Sequence, residues 1–277
     1  MVTTLTKDQA NAPAAPAPLR REDDGSVALL TLNDPQRRNA LSLATIAALQ
    51  QAFDAIAADD KVRVVILAAE GPAFSAGHDL KELTAHRDDA DGGRAFFEQT
   101  FGTCATMMQA IVALPQPVIA AIEGVATAAG CQMVAACDLA IASDDAQFAT
   151  PGVNIGLFCS TPMVALSRNV SRKHAMEMLL TGELIDASEA ARIGLVNRMV
   201  PKGAALTEAL ALAHKIAEKP RSTITLGKRA FARQLEMPLA EAYAHTSRVI
   251  VENMLHADAA EGVCAFIEKR APRWGKR

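Results

Sequence analysis

The stretch from Pro117 to Gly156, PVIAAIEGVATAAGCQMVAACDLAIASDDAQFATPGVNIG, constrains the fold more than any other part of the chain. A short apolar strand, Pro117 to Ile122, meets a turn at Glu123–Gly124. Small residues from Ala126 to Gly130 then open a helix carrying Met133 and Val134, and a second strand follows from Asp138 to Ser143. Small residues at such a turn let another group approach the backbone. A helix start leaves peptide N–H groups without an internal partner, and those donors together with the helix dipole favour negative charge. The turn therefore reads as a seat for an oxygen that becomes anionic during a reaction.

The flanking sequence extends the alternation of strand and helix. Val27 to Leu32 reads as a strand closed by Asn33, Asp34 and Pro35. Ser42 is placed to cap a helix from Leu43 to Ala58, with Ile46, Leu49, Phe53 and Ile56 at helical spacing. The run Val62 to Ala69 is almost wholly apolar, the mark of a strand covered on both faces. Phe74 to Leu80 repeats the small-residue turn, with Asp79 as cap of a helix from Leu80 to about Leu83. The charged stretch Thr84 to Gly93 reads as a mobile loop, followed by a helix from about Arg94 to Leu114. Beyond the central stretch come a loop over 157–162, helices near Met163, over Arg172–Thr181 and over Ala187–Ile193 with Asp186 as cap, and a strand from Leu195 to Val200.

After Pro201 the pattern is helical throughout: about 204–218, 222–235, 239–255 and 257–269. The expected organisation is thus an α/β core over residues 21–201 and an all-helical region over 202–277. Apolar helix faces with no sheet beneath them pack on something else, such as another subunit. Residues 1–20, Ala/Pro-rich as far as Pro18, predict a disordered tail with no apolar targeting segment and too little Arg for a transit peptide.

Composition excludes several classes. A net charge of -3, one Trp and one Tyr give no surface for nucleic acid. No uncharged apolar run reaches the roughly eighteen residues of a membrane span. Five cysteines, Cys104, Cys131, Cys137, Cys159 and Cys264, are odd in number and lack C-x-x-C spacing. They predict reduced thiols in the cytoplasm and no zinc site. His86, His174, His214, His245 and His256 show no ligand spacing, so no metal is expected.

Four pieces in order resemble the crotonase (enoyl-CoA hydratase/isomerase) superfamily. They are Arg38-Asn39-Ala40-Leu41, Phe74 through Leu80, Gly124 through Gln132, and Asp138 through Phe148 with Pro151 and Gly156. The wording GHDLKEL, AAGCQM and FATPGVNIGLFCSTP points to one branch of that family. The resemblance implies a spiral of β-β-α repeats with a helical trimerisation region, and a homotrimer or dimer of trimers. It implies an acyl-CoA substrate, with coenzyme A as part of that substrate and no further cofactor. It also implies an oxyanion hole made by the backbone N–H groups of His78 and Ala129. By the same resemblance Arg38, Ala40, Ala76, Gly77, His78, Asp79, Leu80, Lys81 and Gly130 lie along the coenzyme, with Lys81 offering charge to its phosphates.

The departures from the family pattern bear on the reaction. Gln132 stands where a hydratase of this family has its first catalytic glutamate, Gly152 where it has the second, and Ser160 where some relatives have aspartate. None of the three ionises near neutral pH. Gln132 donates and accepts hydrogen bonds but takes no proton. General acid–base catalysis contributes about 10²–10⁴-fold, so a hydratase so equipped is expected to be slow. The natural label is hydration of trans-2-enoyl-CoA. The alternatives are an isomerase or thioester hydrolase of the same family, or a catalytically quiet acyl-CoA-binding oligomer.

Other residues have simpler readings: Asp79 as a helix cap, Cys131 and Cys137 as core, and Glu123, Asp144 and Asp145 as turn carboxylates. The His78 ring, and Cys159 beside Ser160, are secondary candidates for chemistry. A dinucleotide site fails because Gly124-x-Ala126-x-x-x-Gly130 is not G-x-G-x-x-G, and no Ser/His/Asp triad is assignable.

Overall fold

A computed structural model describes residues 17–275. The predicted tail therefore lies outside the described residues as far as residue 16. Its inner boundary is corrected: Leu19–Asp24 forms β1, paired antiparallel with β2 (Val27–Leu32) from Leu19↔Leu32 to Asp24↔Val27. This strand escaped the sequence reading because LRREDD has no apolar alternation. Its charged, exposed side chains suit an edge strand that must not recruit another edge.

The chain continues through α1 (Leu43–Ala57), capped by the Ser42 hydroxyl on Thr45 N–H, β3 (Val64–Ala69) and β4 (Ala73–Ser75). Then come α2 (Leu80–Ala85), α3 (Arg94–Ala113), β5 (Val118–Ile122), β6 (Val125–Thr127), α4 (Ala129–Ala136), β7 (Leu139–Ser143) and β8 (Gln147–Ala149). The stretch 86–93 is not a bare loop: His86 stacks on Phe96, and the Asp91 carboxylate accepts from Gly93 and Ala95 at the start of α3. The rest comprises α5 (Pro162–Asn169), α6 (Arg172–Thr181), β9 (Ile185–Asp186), α7 (Ala187–Ile193), β10 (Arg198–Val200), α8 (Ala205–Ala217), α9 (Arg221–Gln234), α10 (Leu239–Leu255) and α11 (Ala257–Ile267).

The β-β-α spiral is present. Three times in succession a longer strand enters one sheet, a short strand enters another, and a helix follows: β3–β4–α2, β5–β6–α4 and β7–β8–α5. The larger sheet runs β1-β2-β3-β5-β7-β10 and the smaller β4-β6-β8-β9. Parallel pairing of β4 with β6 and of β6 with β8 stacks successive turns of the spiral. Each strand-to-helix turn then lies beside the next, and this alignment positions the site.

Strand β3 is buried on both faces, as its apolar run predicts. Val65 and Leu67 on one face belong to the main core with Phe53, Phe74, Met107 and Phe148, and Val64, Ile66 and Ala68 on the other cluster with Ala205, Ala209 and Ala213 of α8. The expectation of a sheet-free helical region from residue 202 is corrected here. Alanines at four-residue spacing let α8 lie directly on the larger sheet, and only α9–α11 extend beyond it. Glu123 is also no solvated turn residue: its carboxylate accepts from Gly203 and Ala205 N–H at 3.1 Å each and caps α8. Among the described residues, no helix is long and apolar enough to cross a membrane.

One buried cation ties α9 to the core. Lys228 Nζ, on a side chain 8% exposed, donates to the Ile111 and Gln116 carbonyls and meets Asp138 at 2.6 Å. Burial raises the Asp138 pKa, and the Lys228 charge opposes that rise. Lys228→Ala would leave Asp138 and both carbonyls uncompensated. Because Asp138 is partly exposed, we expect a loss of about 2–3 kcal/mol, below the roughly 3–5 of a fully buried pair, measurable by urea denaturation.

Candidate active site

The first turn of the site follows β4. Asp79 caps α2, its carboxylate accepting from Lys81 and Glu82 N–H. Leu41 N–H donates to the Gly77 carbonyl at 2.8 Å, and Asp79 N–H donates to the Leu41 carbonyl at 3.4 Å. Backbone groups of successive extended residues face opposite ways, so this bridge turns the His78 N–H away from Leu41. Among the described residues no backbone carbonyl accepts from it.

Asn39 braces that turn from below. Its side chain donates to the Glu70 and Ala73 carbonyls and accepts from Asp34 N–H, while its own carbonyl accepts from Ser75 Oγ. Arg38 and Asn39 both adopt positive φ, 52° and 51°, a conformation Asn tolerates better than most residues. The motif Arg38–Leu41 marked the family without revealing this work. A fully bonded Asn in a left-handed turn is legible only once the carbonyls around it are placed.

The second turn follows β6. Ala128 donates to the Ala149 carbonyl at 2.9 Å, and α4 begins at Ala129, whose N–H, as a helix-start donor, has no backbone partner among the described residues. The two turns touch. A Cβ on Gly77 would stand 2.9 Å from Ala128 Cβ and 3.2 Å from Ala129 N, and a Cβ on Gly130 would stand 2.2 Å from the Ser75 carbonyl oxygen. Thr127 Oγ1 also donates to the Ala76 carbonyl at 3.2 Å. Glycine at both contacts therefore brings the His78 and Ala129 turns side by side.

Gln132 lies in the first turn of α4, 5% exposed, and its Oε1 has no hydrogen-bond partner among the described residues. Thr150 Oγ1, beyond β8, is likewise buried and unpartnered. Gly152 has no room for a side chain: its Cβ would meet the Leu157 carbonyl at 2.8 Å and Cys159 Sγ at 3.0 Å. Ser160 is exposed and donates to the Phe158 carbonyl. Burial raises the Cys159 thiol pKa, partly opposed by the Gly152 backbone, and pushes Cys131 to about 12. Thiols held protonated in this way are poor nucleophiles.

The proposed coenzyme strip is only partly open. Arg38, Ala76, Leu80 and Lys81 are exposed, Ala40 is half-buried, and the two segments are joined by Ala76 N–H on the Arg38 carbonyl at 3.0 Å. Asp79 is buried and occupied by its cap and by Arg37 at 3.3 Å, and Gly77 and Gly130 are buried in the contact between the turns. The structure gives these three packing roles. The His78 ring stands edge-on to Phe101, centroids 5.0 Å apart, and neither nitrogen has a hydrogen-bond partner among the described residues. Burial lowers its pKa, and the Leu41 backbone partly opposes that fall.

Residues 22–277 match the family described as enoyl-CoA hydratase/isomerase. The rat enoyl-CoA hydratase domain-containing protein 3, mitochondrial, is 49% identical over 254 residues, 92% of this chain and 83% of that protein. A Mycobacterium smegmatis enoyl-CoA hydratase structure is 52% identical with a TM-score of 0.88, covering 93% of this chain and 98% of that one. The human enoyl coenzyme A hydratase domain-containing protein 3 structure is 46% identical at a TM-score of 0.88, covering 93% and 100%. The rat protein's name corrects the cytoplasmic expectation, since it points to the mitochondrion. Free thiols separate reducing from oxidising compartments and do not distinguish one reducing compartment from another.

The half-buried His78, whose pKa burial lowers, predicts a pH effect. Below the ordinary imidazole value of 6.5 the unfolded ring takes up a proton that the folded ring resists. Its contribution to stability is therefore complete above that value and declines as pH falls through it. Urea midpoints measured across this range should decline less steeply in His78→Phe than in the natural protein.

Proposed function

The chain belongs to the enoyl-CoA hydratase/isomerase family, and from that premise we propose that it binds acyl groups as coenzyme A thioesters and stabilises an enolate-like oxygen at His78 and Ala129. The observation that carries this reading is the contact between two turns that each present a backbone N–H without a backbone partner. Fixed donors aimed at developing charge are worth roughly 3–4 kcal/mol each on the scale of a deleted oxyanion-hole donor. Arg38 and Lys81, exposed on adjoining segments, offer charge to the coenzyme phosphates, and no cofactor beyond coenzyme A is invoked.

The reaction proposed is hydration of a trans-2-enoyl-CoA. Water adds its oxygen at C3 and the electron pair of the double bond shifts through C2 to the thioester oxygen; as the carbonyl re-forms, C2 takes up the proton that the added water gives up, relayed through solvent. Gln132 Oε1, buried and unpartnered, orients the water by accepting a hydrogen bond but removes no proton. Turnover is therefore slow. A second reading, an acyl-CoA binder without turnover, is favoured by the packing of Leu157 and Cys159 against Gly152, which leaves no space for an acid there. Apolar side chains exposed on α9–α11, among them Phe231, Leu239, Tyr243, Ile250 and Phe266, are assigned to contacts between copies in a homotrimer or dimer of trimers.

Hydration assays with crotonyl-CoA and longer enoyl-CoAs, paired with calorimetry, test the reading. We expect binding with slow turnover that drops in Gln132→Ala. Binding without turnover would favour the second reading, and absence of binding would refute both. Gln132→Glu should raise turnover about tenfold or more, since it supplies a base. Gly152→Glu should instead destabilise by about 1–3 kcal/mol through overpacking, read by denaturant midpoint.

A further inference from the structure

Ala128 holds a backbone conformation that a residue with a side chain rarely adopts, φ 50° and ψ -118°. Among non-glycine residues with positive φ, Arg38, Asn39 and Lys269 have φ of 51–53°, but Ala128 adjoins the proposed oxyanion donor. Its angles match the first central position of a type II′ turn, where glycine is preferred. Alanine has none of the local side-chain hydrogen bonding that lets Asn enter such regions.

The surroundings fix this conformation from three sides. On the N-terminal side, Ala128 N–H donates to the Ala149 carbonyl at 2.9 Å. On the C-terminal side, the Ala128 carbonyl accepts from Gln132 N–H at 3.0 Å. The methyl group itself faces Gly77, occupying space that a Cβ there would contest at 2.9 Å. Strain of this kind persists where neighbouring structure over-determines it. The strained residue is also the one that sets the direction of the Ala129 N–H.

We infer that Ala128 is a positioning residue: its methyl is a spacer between the Gly77–His78 turn and the start of α4, holding the Ala129 N–H in fixed relation to the His78 N–H. This rests on the reading that those two N–H groups receive a thioester oxygen, and it adds a cause for their alignment. Gly at this position would relieve the backbone strain, but it would leave a gap between the turns, so that the 128–129 peptide, still bonded to Gln132 N–H through its carbonyl, is free to shift relative to the His78 N–H. A merely tolerated Ala128 would produce the first effect without the second.

The experiment compares the natural protein with Ala128→Gly and with Ala128→Ser, which keeps the β-carbon. Each is measured for Tm and for the infrared carbonyl band of bound butanoyl-CoA carrying ¹³C at the thioester carbon. In the natural protein the band should move to lower frequency on binding, as two donors polarise the carbonyl. Ala128→Gly should raise Tm by about 2 °C or more while losing most of that shift, and Ala128→Ser should retain it. Catalytic turnover of crotonyl-CoA should fall about tenfold in Ala128→Gly, less than the roughly 10²–10³ of a deleted donor. An unchanged band and turnover in Ala128→Gly would overturn the inference and leave the proposed function standing. No shift in the natural protein would overturn both.

Discussion

The parallel pairing of three short strands, β4, β6 and β8, is the constraint on which the rest of the structure depends. Each strand spans only three residues, too few to be stable alone. Held in one small sheet, they place three strand-to-helix turns in line. The first turn presents the His78 N–H, the second the Ala129 N–H, and the third leads to Gly152. Ala149 makes the linkage explicit, since its carbonyl receives the N–H of Ala128 in the neighbouring turn. Small residues at the crossings do the rest, because any Cβ on Gly77, Gly130 or Gly152 would stand within about 3 Å of a neighbouring atom.

What was legible in the sequence follows a physical division. Signals carried by contiguous residues were readable: the apolar run of β3, the Ser42 and Asp186 caps, and the small-residue turns at 76–79 and 126–130. The order of those turns was specific enough to point to the family and, through it, to the spiral. Features set by distant partners were not readable. The three-residue strands are too short for a periodic pattern, β1 has no apolar face, and α8 packs by alanines that resemble any amphipathic helix. Glu123 reads as a solvated carboxylate until Gly203 and Ala205 are seen beside it.

The same division applies to the site. That Gln132 and Gly152 lack acidic groups is plain from their identities. The tight packing at Gly152 is not, because it depends on how the loop over 157–159 folds back. The backbone there is arranged around the absence of a side chain at Gly152. Near the two turns, Gln132 Oε1, Thr150 Oγ1 and the His78 ring nitrogens are buried polar atoms with no partner among the described residues. Buried polar groups are normally hydrogen-bonded, and their grouping on the elements around the two turns accords with a surface completed by ligand or water.

The central claim is that one thioester oxygen sits between two backbone donors. A crystal structure with butanoyl-CoA bound tests it most directly. The account predicts the thioester oxygen at about 2.7–3.1 Å from both the His78 and Ala129 nitrogens, the range of an oxyanion site. An oxygen bonded to neither nitrogen, or an acyl group lodged away from the two turns, would contradict it.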